Sequence, residues 1–240
     1  MSDRFTARRL DLRRHRWLRI TVAVLVVVAA LAVVWLIWFS SVLSARTVQV
    51  EGLTSMKAGQ VDEAAEVPLD VPLARVDLTA IEARVKQLPR VEEVDVSRSW
   101  PHTVTIDVTE RTAVVWTSVD GEFRGVDRFG VAFREYDSRP EKLVEATVET
   151  ADPEQRTATL AAMARVADQI RRDDPALARA MRGISGSSKD SVRLRLTKGR
   201  TVPRGSTAQP QRKLEVLDTL LGISASEYDV SAPDQPTTRG

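Results

Sequence analysis

The sequence predicts an α+β protein carried by one N-terminal transmembrane helix. Three observations predict it. Ile20–Phe39 is a run of twenty residues without a charge. Residues 45–112 follow the order strand, helix, helix, strand, strand, which makes a small β-α-α-β-β unit. Residues 113–232 are dominated by short strand runs separated by turn signals, with two or three helical stretches between them, which makes a mostly antiparallel β domain.

The uncharged run sets the length of the first element. At about 1.5 Å per residue a twenty-residue helix reaches roughly 30 Å, the thickness of a bilayer's hydrocarbon core. In lipid the backbone must satisfy its own polar groups, so this Val-rich stretch becomes a helix whatever its propensity in water. Trp35, Trp38 and Phe39 cluster at its far end, where aromatic rings favour the membrane interface. The apolar core exceeds the roughly 7–15 residues of a cleavable signal peptide, and Leu43-Ser44-Ala45 puts a bulky Leu where such a site wants a small residue. The run therefore reads as a retained anchor over residues 20–41.

Residues 1–19 carry seven arginines against two aspartates, a net of +5. With the whole chain at +2, everything after the tail carries −3. The basicity thus belongs to the tail. That asymmetry predicts a cytoplasmic, unstructured N-terminus and an extracytoplasmic body, and it leaves no basic body surface that would point to nucleic acid. The chain has no Cys. Disulfides, zinc–thiolate and iron–sulfur sites and Cys nucleophiles are excluded, and an exported body must fold on apolar burial alone.

Beyond the anchor, Thr47–Glu51 alternates as a strand up to Gly52. Ala58–Val67 reads as a short helix, and Asp70-Val71-Pro72-Leu73 as a turn. Asp77 is a predicted N-cap; Leu78, Ile81, Val85 and Leu88 share the next helix face until Pro89 stops it. Val91–Arg98 and Thr103–Thr109 are strands joined by a tight loop, Ser99-Trp100-Pro101-His102. Thr112–Val119 and Phe123–Val126 flank a hairpin turn at Asp120-Gly121, and Val131–Arg134 and Leu143–Val148 add further strands. Asp152-Pro153-Glu154-Gln155 opens a helix running to about Arg172, and Asp174-Pro175 restarts a shorter one. Gly183–Ser188 reads as a loop. Val192–Leu196 is an amphipathic strand that Lys198-Gly199 turns back into Thr201–Pro203. Pro210 opens a helix closed by Gly222, Tyr228–Ser231 is a short terminal strand, and residues 233–240 are expected to form a flexible tail.

Catalytic chemistry finds no candidate. The two histidines, His15 and His102, fall on opposite sides of the predicted membrane, so they cannot share a metal. Gly183-Ile184-Ser185-Gly186-Ser187 fails as a nucleophile elbow, since Ser187 stands where the last Gly is required. There is no Gly-rich phosphate loop. Glu92-Glu93 sit side by side on a strand and point to opposite faces, and Asp173-Asp174 reads as a helix cap. No cofactor, metal or small-molecule substrate is therefore expected. Trp100 has two readings: it covers one end of the small core, or it is a hot spot for a partner.

Val48-x-Val50-x-Gly52-Leu53, Pro72-Leu73-x-x-Val76-Asp77, Leu88-Pro89-x-Val91 and Val96-x-Arg98-x-Trp100-Pro101-x-Thr103-Val104-x-Ile106-x-Val108-x-Glu110-Arg111 together resemble the POTRA (polypeptide-transport-associated) domain of the FtsQ/DivIB cell-division proteins. Val126-Asp127-Arg128-Phe129-Gly130-Val131-x-Phe133, Lys198-Gly199-Arg200, Lys213-x-x-x-Leu217-x-x-Leu220-Leu221 and Tyr228-Asp229-Val230-Ser231-Ala232-Pro233 resemble that family's second, β-rich domain, particularly in actinobacterial members. Asp70 departs from the pattern by standing where a Gly usually precedes Pro-Leu, a position Asp tolerates in a left-handed conformation.

The resemblance implies a non-enzymatic, single-pass scaffold of the divisome in the plasma membrane at the division septum. Its implied partners are FtsB and FtsL, and its implied role is control of septal peptidoglycan synthesis. It further implies that an FtsB-like strand adds to the last strand of the β domain, which by position is Tyr228, Asp229, Val230 and Ser231. Arg98, Trp100 and Pro101 become a second candidate partner surface. Pro233 and Pro236 remove backbone donors and shorten the edge available for such addition. Two other classes remain alongside: a membrane-anchored extracytoplasmic cell-wall enzyme, which would need a polar cleft with facing carboxylates, and a polypeptide-transport protein, which would carry several POTRA units or a membrane barrel.

Overall fold

The computed structural model describes residues 4–240, with side chains described for Trp17 and from Arg19 onward. Helix α1 spans Arg4–Phe39. Within it, Arg19–Phe39 is long and apolar enough to cross a bilayer, and none of that window is buried against protein. An apolar helix without protein cover finds its low-energy surroundings in lipid. The basic segment was expected to lack structure; from Arg4 onward it instead continues the helix. A formed span supplies the nucleus, and Arg is a good helix former, so propagation costs little. Residues 1–3 of that tail, and the side chain of His15, lie outside the described residues.

The remaining chain divides at Glu110/Arg111. In the first unit, β1 (Thr47–Glu51), α2 (Ala58–Ala65), α3 (Leu78–Val85), β2 (Val91–Ser99) and β3 (Thr103–Glu110) form a three-stranded sheet in the order β1-β3-β2. β1 runs parallel to β3, with Val50 opposite Ile106, and β2 and β3 form an antiparallel hairpin, with Val96 also opposite Ile106. The alternation read along β3 holds: Val104, Ile106 and Val108 are buried and pack with Val61, Ile81 and Val85. Asp77 caps α3 by accepting from Ala80 N at 3.1 Å. Asp70 adopts φ +62°, the left-handed conformation that its replacement of a Gly requires.

In the second unit, nine strands form one sheet: β4 (Val115–Val119), β5 (Glu122–Val126), β6 (Ala132–Tyr136), β7 (Val144–Val148), β8 (Met181–Gly186), β9 (Val192–Leu196), β10 (Thr201–Gly205), β11 (Glu227–Asp229) and β12 (Thr237–Arg239). Their spatial order is β12-β11-β10-β9-β8-β7-β4-β5-β6. Hairpins make most contacts antiparallel. The parallel β7–β8 and β10–β11 pairs need long crossovers, and α4 (Pro153–Asp173) with α5 (Pro175–Ala180), and α6 (Pro210–Leu221), supply them. These helices bury Met163, Ile170, Leu177 and Leu217 against Ile184, Leu194, Val202 and Tyr228.

Two sequence expectations are corrected. Gly183–Ser188 is not simply a loop, because Gly183–Gly186 belongs to β8, bonded on both sides in the sheet. A central strand buried on both faces lacks alternation, and its two glycines disguise it. Residues 233–240 are not a free tail, because Thr237–Arg239 pairs antiparallel with β11. Pro233 is buried and Gln235 N donates to Ala232 O, so the prolines shape a reversal that returns the chain to the sheet.

Candidate docking surfaces

The residues expected to form an exposed docking strand are placed one strand inside the edge. β11 is held between β10 and β12, with Thr201 opposite Glu227 on one side and Thr238 opposite Tyr228 on the other. Tyr228 is 1% exposed, its hydroxyl donating to Ile223 O at 2.8 Å and accepting from Ala225 N at 3.2 Å. Val230 is fully buried, and its N–H donates to Pro203 O at 2.9 Å. Asp229 accepts from Ser231 N at 2.8 Å and shapes the turn leaving the strand. Tyr228 and Val230 therefore belong to the buried core at this end of the sheet, while Ser231 is exposed beyond β11. The free edge is β12, where Thr237, Thr238 and Arg239 are all exposed. The opposite edge of the sheet is β6. The sequence signal for β12 was weak because three polar residues after a proline carry neither apolar alternation nor a hydrophobic run.

The second expected surface is the tip of the β2–β3 hairpin. Trp100 is 50% exposed and precedes Pro101 through a cis peptide bond. It lies outside the buried cluster, so the core-covering reading of this side chain does not hold. Arg98 is engaged inward: its guanidinium donates to Leu73 O at 2.8 Å and Val76 O at 2.7 Å, tying β2 to the turn before α3. Arg98 thus positions the hairpin, while Trp100 is the side chain it presents.

The Glu110-Arg111 pair makes two different clasps, one in each unit. Glu110 Oε1 accepts from the backbone N–H of Thr54, Ser55 and Met56 at 2.7–2.8 Å, and Oε2 accepts from the Ser55 hydroxyl. Burial pushes this carboxyl up, but the hydrogen bonds from Met56, Ser55 and Thr54 outweigh it and hold it at about 2. Arg111 pairs with the fully buried Asp127, whose other oxygen accepts from Phe129 N and Val131 N. The turn so fixed carries Gly130 at φ +85°, where a Cβ would run into the backbone of Ala161 on α4.

A cleft of about 680 Å³ lies between α4–α5 and β7–β8. It is lined by Arg139, Lys142, Arg179 and Arg182, with Glu141 and Glu145 among them. Glu145 is held by Arg139 at 3.1 Å and Arg195 at 3.7 Å. Among the described residues, no group of three His, Cys, Asp or Glu gathers as a metal site.

Comparison with known proteins fits this architecture. Residues 43–111 match the family model of the POTRA domain, FtsQ-type. The chain is similar to cell division protein FtsQ of Streptomyces venezuelae, at 39% identity over 94% of this chain and 84% of that protein. It is similar to FtsQ of Streptomyces coelicolor at 36% identity, over 92% of this chain and 87% of the relative. With FtsQ of Mycolicibacterium smegmatis it shares 34% identity, over 90% of this chain and 63% of the relative.

Proposed function

The chain belongs to the FtsQ family of cell-division proteins, and from that premise we propose that it is a non-enzymatic, bitopic scaffold that holds two binding units outside the plasma membrane at the septum. Its N-terminus is cytoplasmic, as the +5 tail before the span favours. Its partners are membrane proteins of the FtsB and FtsL type, and through them it controls septal peptidoglycan synthesis.

The observation that carries the reading is the exposed edge β12. An unpaired strand edge offers a row of backbone donors and acceptors to a partner strand, with side chains of alternate residues giving specificity. β12 is short, so the pairing it supports is short, and further affinity comes from side chains around it. Tyr228, Asp229, Val230 and Ser231 act beneath it by holding the edge in place. Trp100 supplies a separate contact in the first unit, where a large half-exposed aromatic ring gains by being covered.

Photo-crosslinking from positions 237–239 in dividing cells tests the proposal. Capture of FtsB-like protein from the edge, and its loss in Thr238→Pro, is the expected result. Capture from Trp100 but not from the edge would move the main docking site to the hairpin. Normal septation in cells depleted of the protein would remove the divisome role altogether.

A further inference from the structure

The buried cations of the second unit are independent of any docking strand. Arg204, on β10, is 1% exposed. Its Nη2 donates to Gln169 Oε1 at 2.8 Å, while Nε and Nη1 are buried without a hydrogen-bond partner among the described residues. The amide Nε2 of Gln169 is likewise buried without a partner among the described residues. Lys213 lies 2% exposed beside it, its ammonium donating to the carbonyls of Arg204 and Ser206 at 2.9 and 3.0 Å. Burial pushes the Arg204 guanidinium down to about 10, and burial together with the charge of Arg204 lowers Lys213. Asp190 and Asp229 partly offset this at Lys213, whereas Arg204, buried with two of its nitrogens unmet among the described residues, is costly unless something anionic joins it.

Arg204 and Gln169 line a cleft of about 500 Å³ with Arg128, Arg165 and Arg172. Its carboxylates are Asp168 and Asp173. Asp168 is engaged by Arg171 and Arg172 at 2.9 and 3.1 Å. The first turn of α6, Pro210 and Gln211, completes the wall, and Gln209 gives this helix no side-chain cap among the described residues. The twelve-residue α6 therefore brings its positive dipole end and uncapped amides to the same cleft.

We propose that this cleft binds a phosphate group, either free or at the end of a larger ester. Spare donors come from Arg204, Gln169 and the α6 N-terminus, and surface arginines surround them. The donors come from separate elements, Arg204 on β10, Gln169 on α4 and the first turn of α6, so one anion meeting them needs oxygens directed to several sides. A tetrahedral phosphate has them, and its charge answers the excess of arginine over carboxylate in the lining, whereas a carboxylate carries only two coplanar oxygens and a single charge. The site sits on β10, next to β11 and two strands from the β12 edge.

The test is a titration of the full chain in detergent micelles with inorganic phosphate at constant ionic strength, read by ³¹P line broadening and by thermal unfolding. Saturable binding at about 1 mM or tighter, with a rise in Tm, is expected. Arg204→Gln is a hazardous variant because it perturbs the core, so Gln169→Glu is the decisive one. It sets a carboxylate against Arg204, and should keep or raise the Tm of the unliganded protein while weakening phosphate at least tenfold. Arg165→Gln, at the exposed rim, should weaken binding several-fold with unfolding unchanged. Glycerol phosphate binding more tightly than inorganic phosphate assigns the site to an ester-borne group, and equal binding assigns it to the free anion. No saturation by 10 mM phosphate, an unchanged affinity in Gln169→Glu, or acetate bound as tightly as phosphate would overturn the proposal.

Discussion

Replacing Val230 by Ala separates a role in holding the docking edge from a role in touching a partner. Val230 has no solvent exposure and belongs to the core of the second unit. The substitution removes two methyl groups. At about 0.8 kcal/mol each the transfer loss is about 1.6 kcal/mol, and a cavity of methyl-pair size adds roughly 1 kcal/mol, for about 2.5 kcal/mol in all. The unit spans Arg111–Gly240. For a domain of that size 1 kcal/mol moves Tm by roughly 4 °C, so a fall of about 10 °C is expected in thermal unfolding followed by circular dichroism. Thr238→Pro is the counterpart. It removes one N–H from a fully exposed edge strand and should shift Tm by less than about 2 °C. Capture of the FtsB-like partner should survive Val230→Ala below its Tm and fail in Thr238→Pro. A Val230→Ala protein that unfolds within 2 °C of wild type would refute the burial argument.

Three further outcomes follow from named contacts. Glu110 has a folded-state pKa of about 2 against an ordinary 4.5, so its stabilisation is present above pH 4.5 and is lost as pH falls through 2. Acid unfolding of the first unit should lose that pH dependence in Glu110→Ala, which at neutral pH should cost roughly 1.5–3 kcal/mol in denaturant titration. Gly130→Ala forces a Cβ onto the Ala161 backbone at positive φ and should destabilise the second unit by about 1–3 kcal/mol, measured by urea unfolding. Trp100→Ala, at a half-exposed side chain outside the core, should change stability by less than about 1 kcal/mol; a septation defect with an unchanged unfolding curve would mark Trp100 as a partner contact.

The first unit was legible almost residue by residue. Its signals are local: Asp77 as a cap, the shared face of Leu78, Ile81 and Val85 on α3, which ends at Val85 short of the expected Leu88, and alternation along Thr103–Glu110. The second unit was legible as strands and helices but not as a sheet. β8 was missed because a strand flanked on both sides needs no alternation and tolerates glycine where neighbours pack close. β12 was missed because a polar edge strand gains its stability from the ladder with β11, which is invisible in its own residues. The outermost strand at that end of the sheet is therefore Thr237–Arg239 and not Tyr228–Ser231.

The sequence by itself determined the apolar span, the sign of charge on either side of it, the lack of any thiol chemistry and the order of elements in the first unit. Each depends on residues near one another in the chain. Only the tertiary structure decided which strand is the edge, which way Arg98 turns, and that Arg204, Gln169 and the first turn of α6 meet at one cleft. Those facts depend on pairing across long loops, where closure and burial of the whole sheet outweigh local preference. The anchor itself was plain from twenty uncharged residues; which strand edge stands open beyond it was set by the sheet.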